Sequence, residues 1–138
     1  ISSHLTGIDI SENMISEALK LDIYDNLIVG DIVETLSSSQ EKFDLLVALD
    51  VLIYIGDALS TFQAVRKSCK SDSLFVFSVE IQNEDGYSLL KSSRYAHSDR
   101  YIMDQTAEIF DLVDSQNVRL RKEGDNWING KVYVFRPI

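Results

Sequence analysis

The stretch FDLLVALDVLIYIGD, from Phe43 to Asp57, decides the fold. Its apolar run from Leu45 to Leu49 predicts a strand that meets protein on both faces, as in a parallel sheet. Asp50 follows this run directly, and Gly56 and Asp57 then break the chain and begin a helix. Ligands bind at the carboxyl ends of the strands in open α/β sheets, so Asp50 is predicted to lie at the binding edge.

Further strand–helix units are predicted on both sides of this stretch. A strand from His4 to Ile10 precedes a helix capped by Ser11, and a strand from Leu27 to Val29 precedes a helical turn. After it, a helix with one apolar face leads to a strand from Leu74 to Val79, behind the polar turn Ser71-Asp72-Ser73. The four predicted strands end, in order, in Asp9, Asp31, Asp50 and Glu80. Such a series indicates a binding edge, although carboxylates that merely face solvent are common.

The region after Glu80 is predicted to hold a long irregular loop and then a long helix. The loop covers Ile81 to Ser98, and loops of this length are usually functional or mobile. Ser98-Asp99 is predicted to cap a helix that continues through Val113, with Asn117 in the left-handed position at its end.

The C-terminus is predicted to form an antiparallel strand pair. Val118 to Lys122 and Lys131 to Phe135 both show alternation, and Gly124-Asp125-Asn126 is a turn signal between them. Asn129-Gly130 is the stronger hairpin signal. The sequence shows neither repeats nor a second domain, so residues 1–138 are expected to form one domain.

Net charge, apolar run length and the cysteine count argue against several classes of function. The net charge of −9 argues against a nucleic-acid or anionic-membrane surface, because both need basic patches. The longest apolar run is interrupted by Asp50 and is too short to span a membrane. The single cysteine, Cys69, is expected to be a buried helical thiol in a reducing, cytoplasmic compartment. No Cys/His cluster suggests a metal site.

The order of residues is more specific than the strand pattern. LTGIDISENM, from Leu5 to Met14, resembles the second strand and following helix of the class I S-adenosylmethionine-dependent methyltransferases. Gly30-Asp31, Phe43-Asp44-Leu45 and the terminal hairpin fall where that family has them. Three further stretches resemble predicted methyltransferases that are often fused to tetratricopeptide repeats: Asp50 to Asp57, Phe77 to Glu80 and Arg94 to Ser98. The resemblance implies an α/β fold, with a Rossmann-like, mostly parallel sheet and a C-terminal antiparallel hairpin.

The resemblance implies a role for individual residues in binding S-adenosylmethionine. Asp9 matches the acidic residue that accepts hydrogen bonds from both ribose hydroxyls, which suits a carboxylate with two acceptor oxygens. Asp31 matches the residue that accepts from the adenine amino group, while Ile10 and Ile32 match residues that flank the ring. The pair Asp50-Val51 matches the segment near the methionine part of the cofactor. The alternative for Asp9 and Asp31 is a carboxylate that only caps a helix.

The sequence departs from the family at its start. The family's first strand and glycine-rich loop precede the second strand, and neither is present here, so we expect an N-terminally truncated domain. Residue 1 is Ile rather than Met, which fits a start that is processed or missing. Three arrangements are open: the sheet has a gap, the strands ending at Asp9 and Leu49 pair directly, or another chain fills the space. Self-association through the exposed edge is therefore a hypothesis.

Methyl transfer to a small-molecule acceptor is the expected function of the intact domain. His97 is the best candidate base because its ordinary pKa lies near neutrality. Arg94 is a candidate partner for a substrate carboxylate or phosphate, and Tyr95 a candidate lining residue. The alternative is that Arg94 and His97 only tie the loop to the sheet. The basic group Arg119, Arg121 and Lys122 is most simply the solvated face of a strand.

Two other functions stay open. One is a non-catalytic scaffold or regulatory module that keeps the fold, which the missing glycine-rich loop favours. The other is a nicotinamide-dinucleotide domain, which also places an acidic residue after its second strand. The terminal antiparallel hairpin argues against the dinucleotide domain, because the sheet of that fold ends in parallel strands.

Overall fold

The computed structural model describes residues 2–138, so the non-methionine start at Ile1 lies outside the described residues. Twelve regular elements are found in these residues, in the order β1 (Thr6–Asp9), α1 (Glu12–Leu19), β2 (Asn26–Val29), α2 (Ile32–Ser38), β3 (Phe43–Ala48), α3 (Leu59–Lys67), β4 (Cys69–Ile81), β5 (Tyr87–Leu89), β6 (Tyr95–His97), α4 (Asp99–Thr106), β7 (Phe110–Glu123) and β8 (Asn126–Pro137). A short 3₁₀ turn at Leu52–Tyr54 links β3 to α3.

The strands form two sheets. β1 and β2 pair in parallel in the smaller one. In the larger sheet β4 pairs in parallel with β3 and β6, and antiparallel with β8, which in turn pairs antiparallel with β7. Strand–helix units followed by an antiparallel C-terminal hairpin form the Rossmann-like α/β fold that the sequence predicts.

β1 and β3 do not pair with each other, although the residues just before them are in contact. Among the described residues β1 pairs only with β2, and β3 pairs only with β4. His4, just before β1, lies 3.5 Å from the carboxylate of Glu41, just before β3, and Ile8 of β1 packs against the main core. The two strands therefore begin on the same side of the molecule and leave facing edges open. The second of the three expected arrangements, direct pairing, is wrong.

The core lies on one face of the larger sheet. Phe75 and Phe77 of β4 stack on each other and on Phe135 of β8, and Phe62 of α3 packs across them. Side chains alternate between the two faces of a strand. Leu45, Val47 and Leu74 point to the opposite face and are 55%, 57% and 40% exposed. The helices thus cover one face of the sheet and leave the other face apolar and open.

The predicted loop after Glu80 is instead partly a hairpin. β5 and β6 pair antiparallel, with Tyr87 opposite His97 and Leu89 opposite Tyr95. β6 also pairs with the end of β4. The hairpin is not predictable from the sequence because its strands are three residues each, too short to show a period.

The predicted long helix is also wrong in its second half. α4 ends at Thr106, whose hydroxyl donates to the carbonyl of Ile102. β7 begins at Phe110, so Val113 and Asn117 lie in a strand rather than in a helix. The apolar spacing from Ile109 to Val113 fits both a helical face and a strand, and strand pairing with β8 decides between them.

The hairpin turn lies at Gly124-Asp125, with Gly124 in the left-handed region at φ 60°. Asn129 and Gly130, the stronger sequence signal, lie inside β8. A Cβ at Gly130 would stand 2.4 Å from the Leu120 side chain and 2.6 Å from the Val79 carbonyl. This glycine therefore serves close packing of three strands rather than a turn.

Smaller corrections concern the ends of α3. Asp57 accepts from the backbone of Leu59, but Ala58 is the N-cap residue and the 3₁₀ turn precedes it. Ser71-Asp72-Ser73 lies within β4 rather than in a turn. Cys69 begins β4 instead of lying on the helix, although it is buried as expected, and burial raises the pKa of its thiol.

Candidate functional site

A carboxylate lies at or just after the end of each of the first two strands, before the helix that follows it. Asp9 Oδ1 accepts from the backbone of Ser11 at 2.8 Å, and Ser11 in turn caps α1. Asp31 is the N-cap of α2, and its Oδ1 accepts from the backbone of Glu34 at 3.0 Å. The predicted alternative of helix capping is therefore present at Asp31. Because these bonds use only Oδ1, each carboxylate keeps a second oxygen for another donor.

Apolar side chains flank these two carboxylates. Ile10, next to Asp9, is 75% exposed, which is unusual for an isoleucine beside a buried sheet. Ile32, next to Asp31, is half-buried and packs against the edge of the core. A pair of acceptors with adjacent apolar surface suits a ligand with hydroxyl and amino donors on a flat ring. These residues fit the adenosine part of the expected cofactor.

The cavity beside Asp9 is small. It measures about 160 Å³ and lies between β1, β2 and α1, with Gly7, Asp9 and Met14 in its wall. Cavities that enclose ligands of drug size usually measure about 300–1,000 Å³. The described residues thus form part of the wall for such a ligand rather than an enclosed site.

Asp50 lies two residues after β3, in a left-handed conformation that is uncommon outside glycine, asparagine and aspartate. Its φ is 54°, in the left-handed region that costs an L-residue about 1–2 kcal/mol. The backbone N–H donates to the buried hydroxyl of Ser78 on β4 at 2.9 Å, and the carboxylate accepts from Arg121. The next residue, Val51, packs against the core and begins the 3₁₀ turn. Asp50 is thus held at the carboxyl edge with half of its side chain exposed.

The three candidate residues for chemistry on the acceptor are engaged with the protein itself. Arg94 forms an ion pair with Glu123 of β7. Tyr95 packs edge-to-face on Tyr87, and both rings approach Gly56 so closely that a Cβ there would stand 2.8 Å from each. These contacts favour the alternative in which this segment is tied to the sheet.

His97 is fully buried. Its Nε2 lies 2.9 Å from the carbonyl oxygen of Gly56, so Nε2 carries the proton and donates it. Nδ1 is buried without a hydrogen-bond partner, and the rings of Tyr87 and Tyr101 pack against His97 and against each other. Burial lowers the pKa of His97 below its ordinary value, because the interior disfavours the charged ring. His97 is therefore neutral, and it joins β6 to the segment after β3.

Arg121 is the site residue that sequence analysis missed. The sequence predicts that Arg121 lies on a solvated strand face. Its side chain is instead only 18% exposed and faces Asp50, Glu80 and Glu123. The pairing of β7 with β8 shifts between Arg119 and Arg121. A bulge of this kind redirects side chains, and it leaves no signal in the alternation of the sequence.

Two negative findings apply to the part of the chain that the structure describes. None of its helices has the length and apolar character needed to cross a membrane. Within residues 2–138, no group of three or more His, Cys, Asp or Glu side chains is arranged to hold a metal ion.

Comparisons with known proteins agree with this architecture. The methyltransferase domain family matches residues 1–117. The N-methyltransferase NodS from Bradyrhizobium japonicum WM9, solved with S-adenosyl-L-homocysteine, is similar with a TM-score of 0.76 and 20% identity. The alignment covers 97% of this chain and 66% of NodS. No curated protein sequence gives a significant match.

Two further solved structures share the fold. An S-adenosylmethionine-dependent methyltransferase from Clostridium acetobutylicum ATCC 824 gives a TM-score of 0.74 at 16% identity, covering 97% of this chain and 75% of its own. The 1,6-didemethyltoxoflavin-N1-methyltransferase from Burkholderia thailandensis gives a TM-score of 0.73 at 17% identity. The alignment covers 96% of this chain and 60% of the Burkholderia enzyme. At such identities the likeness shows the fold alone, whereas the family match covers most of the sequence. The chain belongs to the methyltransferase domain family.

Proposed function

We propose that this chain is the greater part of an S-adenosylmethionine-dependent methyltransferase that acts on a small-molecule acceptor. The observation that carries the proposal is the pair Asp9 and Asp31, at the carboxyl ends of neighbouring parallel strands. Each keeps a carboxylate oxygen free of the helix-start bond and has an isoleucine beside it. This combination matches the donors and the flat ring of adenosine.

In this proposal β2 and β1 hold the nucleoside. Asp31 and Ile32 would hold the adenine, and Asp9 would accept from the ribose hydroxyls, with Ile10 against the ring. Asp50 and Val51, at the end of β3, would lie at the amino-acid end of the cofactor. When bound, S-adenosylmethionine supplies an electrophilic methyl group, and the protein contributes mainly orientation.

The small-molecule acceptor is supported by relatives rather than by a site in this chain. The Burkholderia enzyme was solved with 1,6-didemethyltoxoflavin and S-adenosylhomocysteine together. The net charge of −9 also disfavours a nucleic-acid acceptor. Because this chain spans only 60–66% of the Burkholderia enzyme and NodS, their acceptors are a guide to class only.

In this proposal the cofactor site is incomplete where β1 and β3 each have an unpaired edge. A strand with a glycine-rich loop between them would supply backbone partners to both edges, which otherwise lack them. That strand could come from residues upstream of position 1 or from another chain.

A second candidate is a methyltransferase fold without catalysis, used as a scaffold. The small cavity beside Asp9 and the internal partners of Arg94 and His97 favour it. It predicts a folded protein that binds no nucleoside.

Calorimetric titration with S-adenosylhomocysteine separates these functions. We would titrate the present chain and a version extended upstream in its parent gene. Binding to the extended version alone supports a methyltransferase whose site is completed upstream. Binding to neither version would reject the cofactor and favour the scaffold.

A further inference from the structure

Arg121 connects carboxylates from three parts of the fold. Its Nη2 donates to Glu80 Oε2 of β4 at 2.9 Å, and its Nη1 donates to Asp50 Oδ1 after β3 at 3.3 Å. Its Nε lies 3.5 Å from Glu123 Oε1, which also pairs with Arg94. Burying a guanidinium is costly unless it is paired, so this arrangement fixes the arginine and the acids around it.

One of these carboxylates, that of Asp50, keeps an oxygen atom that Arg121 does not contact. Glu80 is 90% buried and takes the shorter of the two hydrogen bonds, and Glu123 is shared between two arginines. Asp50 is 48% exposed and is contacted by Arg121 through Oδ1 alone. Asp50 Oδ2 is therefore free to bind a donor at the carboxyl edge of the sheet.

Asp50 is held in place as well as exposed. Its left-handed φ of 54° is one that aspartate adopts more readily than most residues, so its position depends on the contacts around it. Two such contacts come from neighbouring strands: the Ser78 hydroxyl on the backbone N–H and the Arg121 guanidinium on the carboxylate. Removing Arg121 would free the carboxylate to turn and would expose it to repulsion from Glu80.

The order of strand ends shows which ligand group Asp50 would meet. Asp31 ends β2, Asp9 ends β1, and β3 begins beside β1, as the contact between His4 and Glu41 shows. If Asp31 and Asp9 hold adenine and ribose, the remaining end of the cofactor extends toward β3. That end carries an α-carboxylate and an α-ammonium group, and only the ammonium group donates to an aspartate carboxylate.

We infer that Arg121 is a positioning residue that holds the Asp50 carboxylate toward the α-ammonium group of the cofactor. This inference rests on the proposed function. The bulge in β7 contributes to this role, because it turns Arg121 away from the exposed strand face on which Arg119 and Lys122 lie over Trp127.

The test compares two ligands by calorimetry on the version of the protein that is extended upstream. One is S-adenosylhomocysteine, and the other is its analogue without the α-amino group, 5′-S-(3-carboxypropyl)-5′-thioadenosine. The wild type should bind S-adenosylhomocysteine with an affinity about tenfold or more above that for the analogue, as expected for a charge-assisted hydrogen bond. This ratio of affinities is the preference that the variants are tested for. Asp50→Asn and Arg121→Met should each reduce this preference to about threefold or less. Arg119→Met, on the same strand but outside the network, should retain it.

A double-mutant cycle separates positioning from a general structural role. If Arg121 acts through Asp50, Asp50→Asn with Arg121→Met has the same preference as Asp50→Asn alone. If Arg121 only joins β7 to β4, Arg121→Met weakens both ligands equally, and the inference is overturned. Arg121→Lys covers the case in which the methionine variant does not fold. Lysine keeps the charge but lacks the fork that spans two carboxylates, so the preference should again fall.

Different results would overturn the proposed function and the role of Arg121. A wild type that binds neither ligand overturns the proposed function and this inference with it. A wild type that binds both ligands equally overturns the inference alone.

Discussion

His97 Nε2 donates to the carbonyl oxygen of Gly56, 2.9 Å away, and this bond joins β6 to the segment that follows β3. The histidine is neutral because its Nδ1 is buried without a partner. The bond therefore ties the β5–β6 hairpin to the segment between β3 and α3.

We predict that stability falls as the pH drops below about 6.5, the ordinary pKa of histidine, because His97 binds a proton more readily in the unfolded state. Since burial lowers the folded pKa, the contribution of His97 is complete above that pH and is lost below it. Urea unfolding at about pH 7.5 and about pH 5.5 should show a loss from this residue of at most about 1.4 kcal/mol, the limit set by one pH unit below the unfolded pKa. His97→Gln should remove that part of the loss.

His4 provides a matched control, because it is the other of the two histidines and is about half exposed. Equal slopes for wild type and His97→Gln would show that His97 is not the titrating group.

Tyr101 is predicted to hold the start of α3. Its hydroxyl accepts from the backbone of fully buried Ala58 at 2.9 Å and donates to Asp57 at 3.2 Å, and burial raises the pKa of Tyr101 to about 12. Tyr101→Phe should cost about 1–3 kcal/mol, since it leaves a buried N–H without an acceptor. Tyr54→Phe, at a 67% exposed position, should cost almost nothing in the same thermal unfolding series. Similar losses in both variants would argue against this role.

Self-association is predicted from the open edge and the bare apolar face of β3. Leu45 and Val47 are each more than half exposed, and such strands associate unless charged residues prevent it. Light scattering should show an average mass that rises with protein concentration. Val47→Lys should shift this rise to concentrations at least about threefold higher, as expected for a charge placed on an edge strand. A constant monomer mass at high concentration would contradict the prediction.

Sequence analysis correctly identified the strands whose apolar runs are long. β3 and the apolar part of β4 are predictable because each has an unbroken apolar run. The prediction that β3 meets protein on both faces is wrong, since Leu45 and Val47 are more than half exposed. The cap at Ser11 is also predictable, because a serine followed by acidic and apolar residues favours a helix start.

Tertiary contacts explain what the sequence did not reveal. The pairing of β7 with β8 turns Phe110 and its neighbours into a strand, against a spacing that also fits a helix. Gly130 is required by the approach of Leu120 and Val79 rather than by a turn. Such requirements depend on partners that are distant in the chain.

The candidate site was predictable in part for the same reason. Asp50 marks a strand end, so its place at the edge follows from the apolar run before it. Arg121 lies 71 residues away from Asp50, and the bulge that turns it inward is set by strand register. The burial of His97 likewise depends on the β5–β6 hairpin, which the sequence does not signal.

The most direct test of the account is the affinity of Asp9→Asn for S-adenosylhomocysteine, measured by calorimetry in a version of the protein that binds the ligand. Asp22→Asn is the control, since Asp22 is exposed and asparagine tolerates its left-handed φ of 52°. Asparagine at position 9 replaces an acceptor oxygen with a donor, so affinity should fall about tenfold or more, while the control binds as the wild type does. Unchanged affinity in Asp9→Asn would contradict the assignment of β1 and β2 as the nucleoside-binding strands.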